Sequence, residues 1–492
     1  MLASSSGHGG GGKDWEGGDG SGGSILGASL LFAGTAVGAG MLALPAETID
    51  AGFVPSVAGL TLCWAFTYVT SLYTLEASWM ATELARKEAI VLDDGGGTTM
   101  GKVWEGRMMG KIAGGGGGGG GGFLAISRRA LGVPGELVTG MLFWFLLTSI
   151  VVAYTSEGGQ LVAQLADGML PSLPLPSVSS PGAVPPAALG SVLFAAFFGS
   201  LATTGTSRVD SVNRILVAGL AGAFLGLAGL GLPRIDISNL FGRADWGALY
   251  PAGISVGILS FGAQNVVPTL LAYLGDDPVR TRRAILLGSL APLVLYAMWE
   301  AVFLGIVPGD AAASGMEVVE VLGQAGGNAG RDLVGTFSAC AVGSSMAGAS
   351  VSLVDFFEDL IALSGVGVGQ GGRERGEEDR PGAGDSGGSA GDARLLAAVL
   401  ALGPPVLLSY TYPDIFLTAL EEAGLLGGVS LYGVLPALSI WSLRRSSADM
   451  TMPGRLGGGD GALCALFLLS SGLVLPEIVR LAASSGVLLL HH

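Results

Sequence analysis

Two stretches that mix glycines with a terminal proline hold the residues best suited to chemistry in this sequence. The first is residues 34–45, G-T-A-V-G-A-G-M-L-A-L-P, and the second is residues 257–268, G-I-L-S-F-G-A-Q-N-V-V-P. Each interrupts an apolar run long enough to enter a bilayer, and we predict that a helix breaks there. Such a break frees backbone N–H and C=O groups that lipid cannot satisfy, so it must line a cavity or bind a ligand.

The backbone groups freed at a broken helix match the two charged groups of a free α-amino acid. N–H groups at the N-terminus of a half-helix attract a carboxylate, and exposed carbonyls hold an ammonium or another cation. Small residues let a carboxylate approach the backbone closely. We therefore predict a substrate site formed by Thr35, Gly38, Ala39, Gly40, Phe261, Gly262, Ala263 and Gln264. Two alternatives stay open, because small residues also pack membrane helices together and the Gln264 amide can hydrogen-bond between helices.

Carboxylates inside apolar runs are rare and costly, which makes Glu300 and Glu157 candidates for carrying a coupling proton. Glu300 lies well inside its run, and Glu157 stands beside two glycines. The alternative is that either carboxylate faces a water-filled vestibule or pairs with a neighbour. A histidine proton relay is excluded, because all three histidines are at the chain ends.

The elements that position these residues must be membrane-spanning helices. Of the 492 residues, 50% are hydrophobic and 13% are charged, and the mean hydropathy is +0.61. The apolar residues cluster in runs of about 20, the length that crosses roughly 30 Å of hydrocarbon. The net charge of -15 says little about partners, because most acids lie in loops or near helix ends. The lipid bilayer and a small molecule are the expected partners, and nucleic acid is excluded.

The predicted fold is all-α, with about eleven transmembrane helices between two tails. Residues 1–24 are rich in Gly and Ser and are predicted to be disordered, residues 25–482 form the transmembrane domain, and residues 483–492 form a C-terminal tail. Gly-rich, charged segments at about 81–136 and 365–393 are predicted to be flexible loops on the inner side of the membrane.

The two breaks fall in the first and sixth apolar runs, which begin two successive five-helix units. Paired interruptions in corresponding helices indicate a transporter built from inverted repeats, with its site near the midplane. Because five is odd, the two units have opposite topology. An enzyme is disfavoured, because no metal-binding or nucleophilic constellation is present, and we expect no cofactor.

Basic residues segregate to one side of this predicted topology. If the N-terminus faces inward, only four of the 24 lysines and arginines lie on the outer side, namely Arg234, Arg243, Arg331 and Arg480. The positive-inside rule then places the N-terminus inside. The rule indicates on which side of the membrane the N-terminus lies, but not which membrane holds the protein. The plasma membrane and an organelle envelope, including that of a plastid, both remain alternatives.

The segment A-G-T-A-V-G-A-G-M-L-A-L-P resembles the first-helix signature of the tryptophan/tyrosine permease family of aromatic amino acid transporters, within the amino acid/polyamine/organocation superfamily. Other resembling pieces follow in order: A-Y-T-S-E-G-G at 153–159, V-D-S-V-N-R at 209–214, S-F-G-A-Q-N-V-V-P at 260–268, G-S-L-A-P-L-V-L-Y-A-M-W-E at 288–300 and S-V-S-L-V-D-F-F at 350–357. The resemblance covers about residues 24–482.

The resemblance implies a leucine-transporter-like fold with broken helices 1 and 6, and symport of an aromatic or related amino acid that is usually driven by protons. In sodium-coupled relatives a cation lies where the first helix meets the eighth, which here means Ala33, Ala36 and Ser350. Serines in membrane helices more often bond to their own backbone, however. The chain departs from bacterial members at Ala263 and Gln264, where they commonly have an aromatic residue and a histidine.

We therefore expect a secondary active symporter for tryptophan or tyrosine that works by alternating access, with H⁺ as the coupling ion rather than Na⁺. The alternatives are a broader neutral amino acid carrier coupled to sodium, and an amino acid sensor that does not transport. The sequence does not predict an oligomeric state.

Overall fold

The computed structural model describes residues 23–38, 40–94, 120–169, 185–204, 206–306, 318–364, 387–447 and 449–489. These residues are almost entirely helical, and no strand occurs among them. Within these ranges ten helices are long and apolar enough to cross a membrane, or eleven if the bent pair at the start counts as one span. The predicted all-α membrane fold with about eleven spans is confirmed.

The first five spans begin with an interrupted helix. They comprise α1 (Ile25–Ala36) with α2 (Gly40–Thr48), α3 (Phe53–Asp94), α4 (Gly120–Met169), α5 (Pro186–Thr203) and α6 (Thr206–Gly231). The axes of α1 and α2 differ by 55°. A short helix, α7 (Ile237–Phe241), follows outside the spans. Asp236 caps α7 by accepting hydrogen bonds from the hydroxyl and the N–H of Ser238, which lower the pKa of its carboxyl.

The next five spans repeat this plan, beginning again with an interrupted helix. They comprise α8 (Ala252–Ser260) with a 3₁₀ turn (Gln264–Val266) and α9 (Val267–Tyr273), then α10 (Pro278–Ile306), α11 (Val318–Ser364) and α12 (Gly387–Thr411), and finally α13 (Phe416–Glu422), a π-helical segment (Ala423–Val434) and α14 (Leu435–Ser446). The last span lies in α15 (Gly459–Leu489). The predicted breaks in spans 1 and 6 are therefore present.

A second pair of irregularities relates the two five-span units. The third helix of each unit contains a glycine with positive φ, Gly132 in α4 (φ 73°) and Gly327 in α11 (φ 63°). L-residues with side chains rarely adopt this conformation, and glycine does so without strain. The two units thus share a kink as well as a broken first helix, as expected of structural repeats.

Helix extends into both ends of the segment predicted to be a loop at about 81–136. The helix α3 continues to Asp94, and α4 begins at Gly120. The cause is burial, because Ala125 and Ile126 pack in a cluster with Ile440 of α14. Likewise α12 begins inside the predicted loop 365–393, and α15 extends into the predicted tail 483–492. Residues 1–22, 95–119 and 365–386 lie outside the described residues, so the predictions for them stay predictions.

A buried ion pair joins α3 to α14. The Arg444 guanidinium donates to both carboxylate oxygens of Glu76, at 2.8 Å and 2.7 Å. The Glu76 side chain is 2% exposed and that of Arg444 is 11% exposed. Two parallel hydrogen bonds satisfy both oxygens of this carboxylate, which makes its burial between the second and tenth spans tolerable.

Candidate functional site

Two glycines at the first break lie so close to neighbouring spans that an added side-chain atom would meet them. A Cβ atom added to Gly38 would lie 2.6 Å from the hydroxyl oxygen of Ser345 in α11, and one added to Gly40 would overlap the hydroxyl of Ser260 in α8. The chain at the first break therefore touches both the second break and the eighth span. Ala39, which was predicted to line the site, lies outside the described residues.

The second break is a pair of tight turns at buried and partly buried residues. The N–H of Gly262 donates to the Leu259 carbonyl at 2.9 Å, and the N–H of Ala263 donates to the Phe261 carbonyl at 2.9 Å. Phe261 is 2% exposed and Ala263 is fully buried. Gly262 faces the ring of Tyr432 in the π-helical segment. These turns end α8 early and leave the Ser260 carbonyl at the break.

One side chain contacts both breaks. The hydroxyl of Tyr296, in α10, lies 2.8 Å from the Ala36 carbonyl oxygen and 3.2 Å from the Ser260 carbonyl oxygen. Its ring is fully buried and meets the Phe261 ring edge-on, with 5.2 Å between the centroids. The C-terminal carbonyls of α1 and α8 thus converge on a single hydroxyl group.

Two neighbours of Tyr296 extend this contact along α2. The Trp299 indole N–H donates to the Met41 carbonyl at 2.7 Å. Glu300 is fully buried, and its Oε2 lies 3.0 Å from the Thr48 hydroxyl, while its Oε1 has no hydrogen-bond partner in the part of the chain that the structure describes. Residues spaced by three and four share one face of a helix, so one face of α10 contacts the interrupted first span at Ala36, Met41 and Thr48.

Gln264 is fully buried, and its amide is oriented by α3. Its side-chain NH₂ group donates to the Thr70 hydroxyl at 3.0 Å and lies 3.4 Å from the Thr67 carbonyl. The Thr70 hydroxyl itself donates to the Thr67 carbonyl, so it can only accept from Gln264. The amide oxygen consequently points away from these two residues, and it is buried without a partner among the described residues.

Other predicted site residues lie apart from this arrangement or have other partners. Thr35 is exposed, and its hydroxyl donates to the Leu31 carbonyl in its own helix at 2.9 Å. Glu157 is half-buried in α4, between Ser156 and Gln160, whose side chains donate to the Pro413 carbonyl in the connection between α12 and α13.

The three residues of the predicted cation site differ in their hydrogen-bond partners. The Ala33 carbonyl accepts from the Val37 N–H at 3.0 Å, and the Ala36 carbonyl faces Tyr296. Ser350 is fully buried, and its hydroxyl has no partner within the described ranges. None of the contacts above joins Ser350 to either carbonyl.

Sequence reasoning gave no role to Tyr296, Trp299 or Tyr154. The Tyr154 hydroxyl, from α4, hydrogen-bonds to Ser345, which lies beside Gly38. A signal for two of these residues was present, because Tyr296 and Trp299 stand four and one positions before Glu300 and can donate a hydrogen bond inside an apolar run. For Tyr154 we find no comparable signal in the sequence.

Comparisons with known proteins agree with this architecture. A sequence profile described as the tryptophan/tyrosine permease family matches residues 21–108, 115–371 and 389–476. The tyrosine-specific transport system 1 of Haemophilus influenzae is 27% identical over 464 residues, which cover 92% of this chain and 96% of that protein. The tryptophan-specific transport protein of Pseudomonas aeruginosa is 27% identical over 460 residues, which cover 90% and 92%.

A solved structure shares the fold. The crystal structure of MhsT in complex with L-phenylalanine matches with a TM-score of 0.55 and 16% sequence identity, over 92% of this chain and 98% of that one. The fold is therefore that of the leucine-transporter-like proteins, with the interrupted spans 1 and 6 described above.

Proposed function

Because the chain belongs to the tryptophan/tyrosine permease family, whose members are transport proteins and not enzymes, we propose that it is a secondary active transporter that moves tryptophan or tyrosine across its membrane together with a proton. Alternating access is the proposed mechanism, with the site near the midplane facing each side in turn. We also propose that the N-terminus is inside, on the strength of the basic-residue count.

The observation that carries this proposal is the meeting of the two helix breaks. The carbonyls of Ala36 and Ser260 converge on the Tyr296 hydroxyl, which donates one hydrogen, so one of them stays available to attract an ammonium group. The N-terminus of α2 begins at Gly40, where N–H groups suit a carboxylate. The two ends of broken helices thus fit the two charged groups of an α-amino acid.

Aromatic side chains next to the breaks support an aromatic substrate. Phe261 and Tyr296 form an edge-to-face pair, and Tyr154 reaches Ser345 beside the first break. Aromatic rings pack favourably edge-on or offset against one another, so an indole or phenol ring suits this environment. The names of the two relatives above, tyrosine-specific and tryptophan-specific, point to the same class of substrate.

Glu300 is the proposed carrier of the coupling proton. Thr48 has one hydroxyl hydrogen and lies within hydrogen-bond distance of both the Leu44 carbonyl and Glu300. When Thr48 donates to the carbonyl, which can only accept, a hydrogen bond with Glu300 requires the carboxyl to donate, and thus to be protonated. A neutral acid also suits a fully buried group whose Oε1 has no partner among the described residues. Glu300 can therefore hold a proton beside the first span.

One observation favours a sodium-coupled alternative. The Ser350 hydroxyl is buried without a partner among the described residues, in the span where a cation would be held against the first helix. In that case the carrier has a broader neutral substrate range and sodium replaces the proton. The transport experiment below separates the two proposals.

Purified protein in liposomes gives the decisive test. With the exterior more acidic than the lumen, we expect labelled tryptophan and tyrosine to accumulate above equilibrium, and a protonophore to abolish this accumulation. Alanine and glutamine serve as control substrates. Accumulation driven by a sodium gradient alone would contradict proton coupling, and tryptophan binding without any exchange would indicate a sensor.

Replacement of Glu300 tests the coupling group. In Glu300→Gln the side chain keeps its size but cannot release a proton, so we expect pH-driven accumulation to be lost while exchange of labelled for unlabelled tryptophan persists. The control is Glu88→Gln, an exposed residue of α3 that pairs with Arg129. If Glu300→Gln accumulates substrate as the unmodified protein does, Glu300 is not the coupling group.

A further inference from the structure

Tyr296 joins two helix ends that lie far apart in the chain. Ala36 ends α1, and Ser260 ends α8, more than 200 residues later. The last carbonyls of a helix have no donor within that helix, and they carry the negative end of its dipole. Two such ends repel each other unless a positive or hydrogen-donating group stands between them.

In transporters with discontinuous helices, carbonyls of this kind coordinate a cation such as Na⁺. Here the group between them is the hydroxyl of Tyr296, at 2.8 Å from one oxygen and 3.2 Å from the other. A phenol hydroxyl is neutral and donates one hydrogen, so it serves one carbonyl fully at a time. The other carbonyl keeps a lone pair for an N–H of a bound ligand.

We propose that Tyr296 is a positioning residue of the carrier. Its hydroxyl supplies from within the protein the stabilisation of the two carbonyls that a monovalent cation would otherwise provide between the two breaks. It thereby fixes the separation of the two half-helices and leaves one carbonyl to accept from the ammonium group of the substrate. This inference rests on the proposed function and deepens it.

The surroundings of Tyr296 suit a fixed donor. The ring is fully buried, and the edge-on contact with Phe261 restrains it on the side of the second break. One turn further along α10, the hydrogen bond from Trp299 to the Met41 carbonyl holds the same helix face against the first span. Because the hydroxyl is already fixed in place on both sides, substrate binding costs little further entropy for ordering it.

Removing only the hydroxyl tests this role. Tyr296→Phe keeps the ring and its contact with Phe261 but removes the one hydroxyl donor that stands between the two carbonyls. We expect the KM for tryptophan exchange in liposomes, measured without a pH gradient, to rise about tenfold or more. The matched control is Tyr410→Phe in α12, where the side chain is 41% exposed, and its KM should stay within about twofold of the unmodified protein.

The division between KM and maximal rate distinguishes positioning from mere structural support. A structural role would lower the thermal unfolding temperature and the amount of active protein, and hence the maximal rate, with no change in KM. A KM for Tyr296→Phe within about twofold of the unmodified value would overturn the proposal.

A second variant keeps the test decisive if Tyr296→Phe does not fold. Tyr296→Gln retains N–H donors, so folded protein that exchanges tryptophan would support the need for a donor. Loss of exchange in both variants would show that the shape of the tyrosine ring is what matters, and would overturn the proposal. Failure of the proposed function gives a different result, because the unmodified protein would then exchange no tryptophan. In that case the tryptophan affinities of the unmodified protein and the Tyr296 variants in nanodiscs are compared instead.

Discussion

At the scale of single residues, the candidate site depends on the absence of a Cβ atom at two glycines. Gly38 faces the Ser345 hydroxyl and Gly40 faces the Ser260 hydroxyl, each too close for a Cβ atom. Gly34, four residues before Gly38, differs, because a Cβ added there meets nothing within 4 Å. Glycines of the same stretch therefore divide into those that the site needs and one that it does not.

This difference gives a paired prediction. Gly38→Ala places a methyl group 2.6 Å from the Ser345 hydroxyl, so either this hydroxyl or the break must move. We expect a cost of about 1–3 kcal/mol and tryptophan binding in nanodiscs weaker by about tenfold or more. Gly34→Ala fills open space and should leave the affinity within about twofold. Equal affinities of the two variants would show that close backbone approach at Gly38 is unnecessary.

The residue scale also shows what the sequence could reveal about the site. The breaks were predictable, because glycine and proline both weaken a helix and here recur together at the same place in two apolar runs. The partners of the breaks were harder to identify, because apart from the spacing of Tyr296 and Trp299 before Glu300, a tyrosine or tryptophan in an apolar run looks like ordinary core. Tyr296 acquires its role only from two carbonyls that folding brings to it, and Gln264 is turned toward α3 by hydroxyls that no spacing rule identifies.

At the scale of elements, α10 acts as a brace for the interrupted first span. Tyr296, Trp299 and Glu300 contact Ala36, Met41 and Thr48, so that one helix face meets the end of α1 and both ends of α2. The ends of helices were less predictable than their number. Gly-rich composition suggested a loop before α4, but burial of Ala125 and Ile126 against α14 extends the helix there. Local composition cannot anticipate a partner from a span so distant in the chain.

At the scale of the whole molecule, the number of spans in the described residues follows from the lengths of the apolar runs, which depend on bilayer thickness. The two breaks follow from paired Gly/Pro interruptions, which depend on backbone chemistry. The kinks at Gly132 and Gly327 were not predicted, since a glycine in a long glycine-rich chain gives no sign of its φ. The pairing of Glu76 with Arg444 was likewise invisible, because it joins the second span to the tenth.

That ion pair leads to a prediction about stability. Glu76→Gln leaves the Arg444 charge buried with a poorer partner, which should lower the free energy of unfolding by about 3 kcal/mol. Glu88→Gln, on the same helix but in an exposed pair with Arg129, should cost at most about 1 kcal/mol. Thermal unfolding of the two purified variants in detergent checks the difference, and similar unfolding temperatures would contradict the structural importance of the buried pair.

The π-helical segment from Ala423 to Val434 also affects how this chain is aligned with its relatives. Its backbone bonds run from residue i to i+5 rather than i+4, so it holds more residues per turn than an α-helix. A relative with a plain α-helix at this place would need fewer residues to connect α13 to α14 in the same orientation. An alignment gap inside the tenth span would then mark a change of helix type and leave the packing of α14 unaltered.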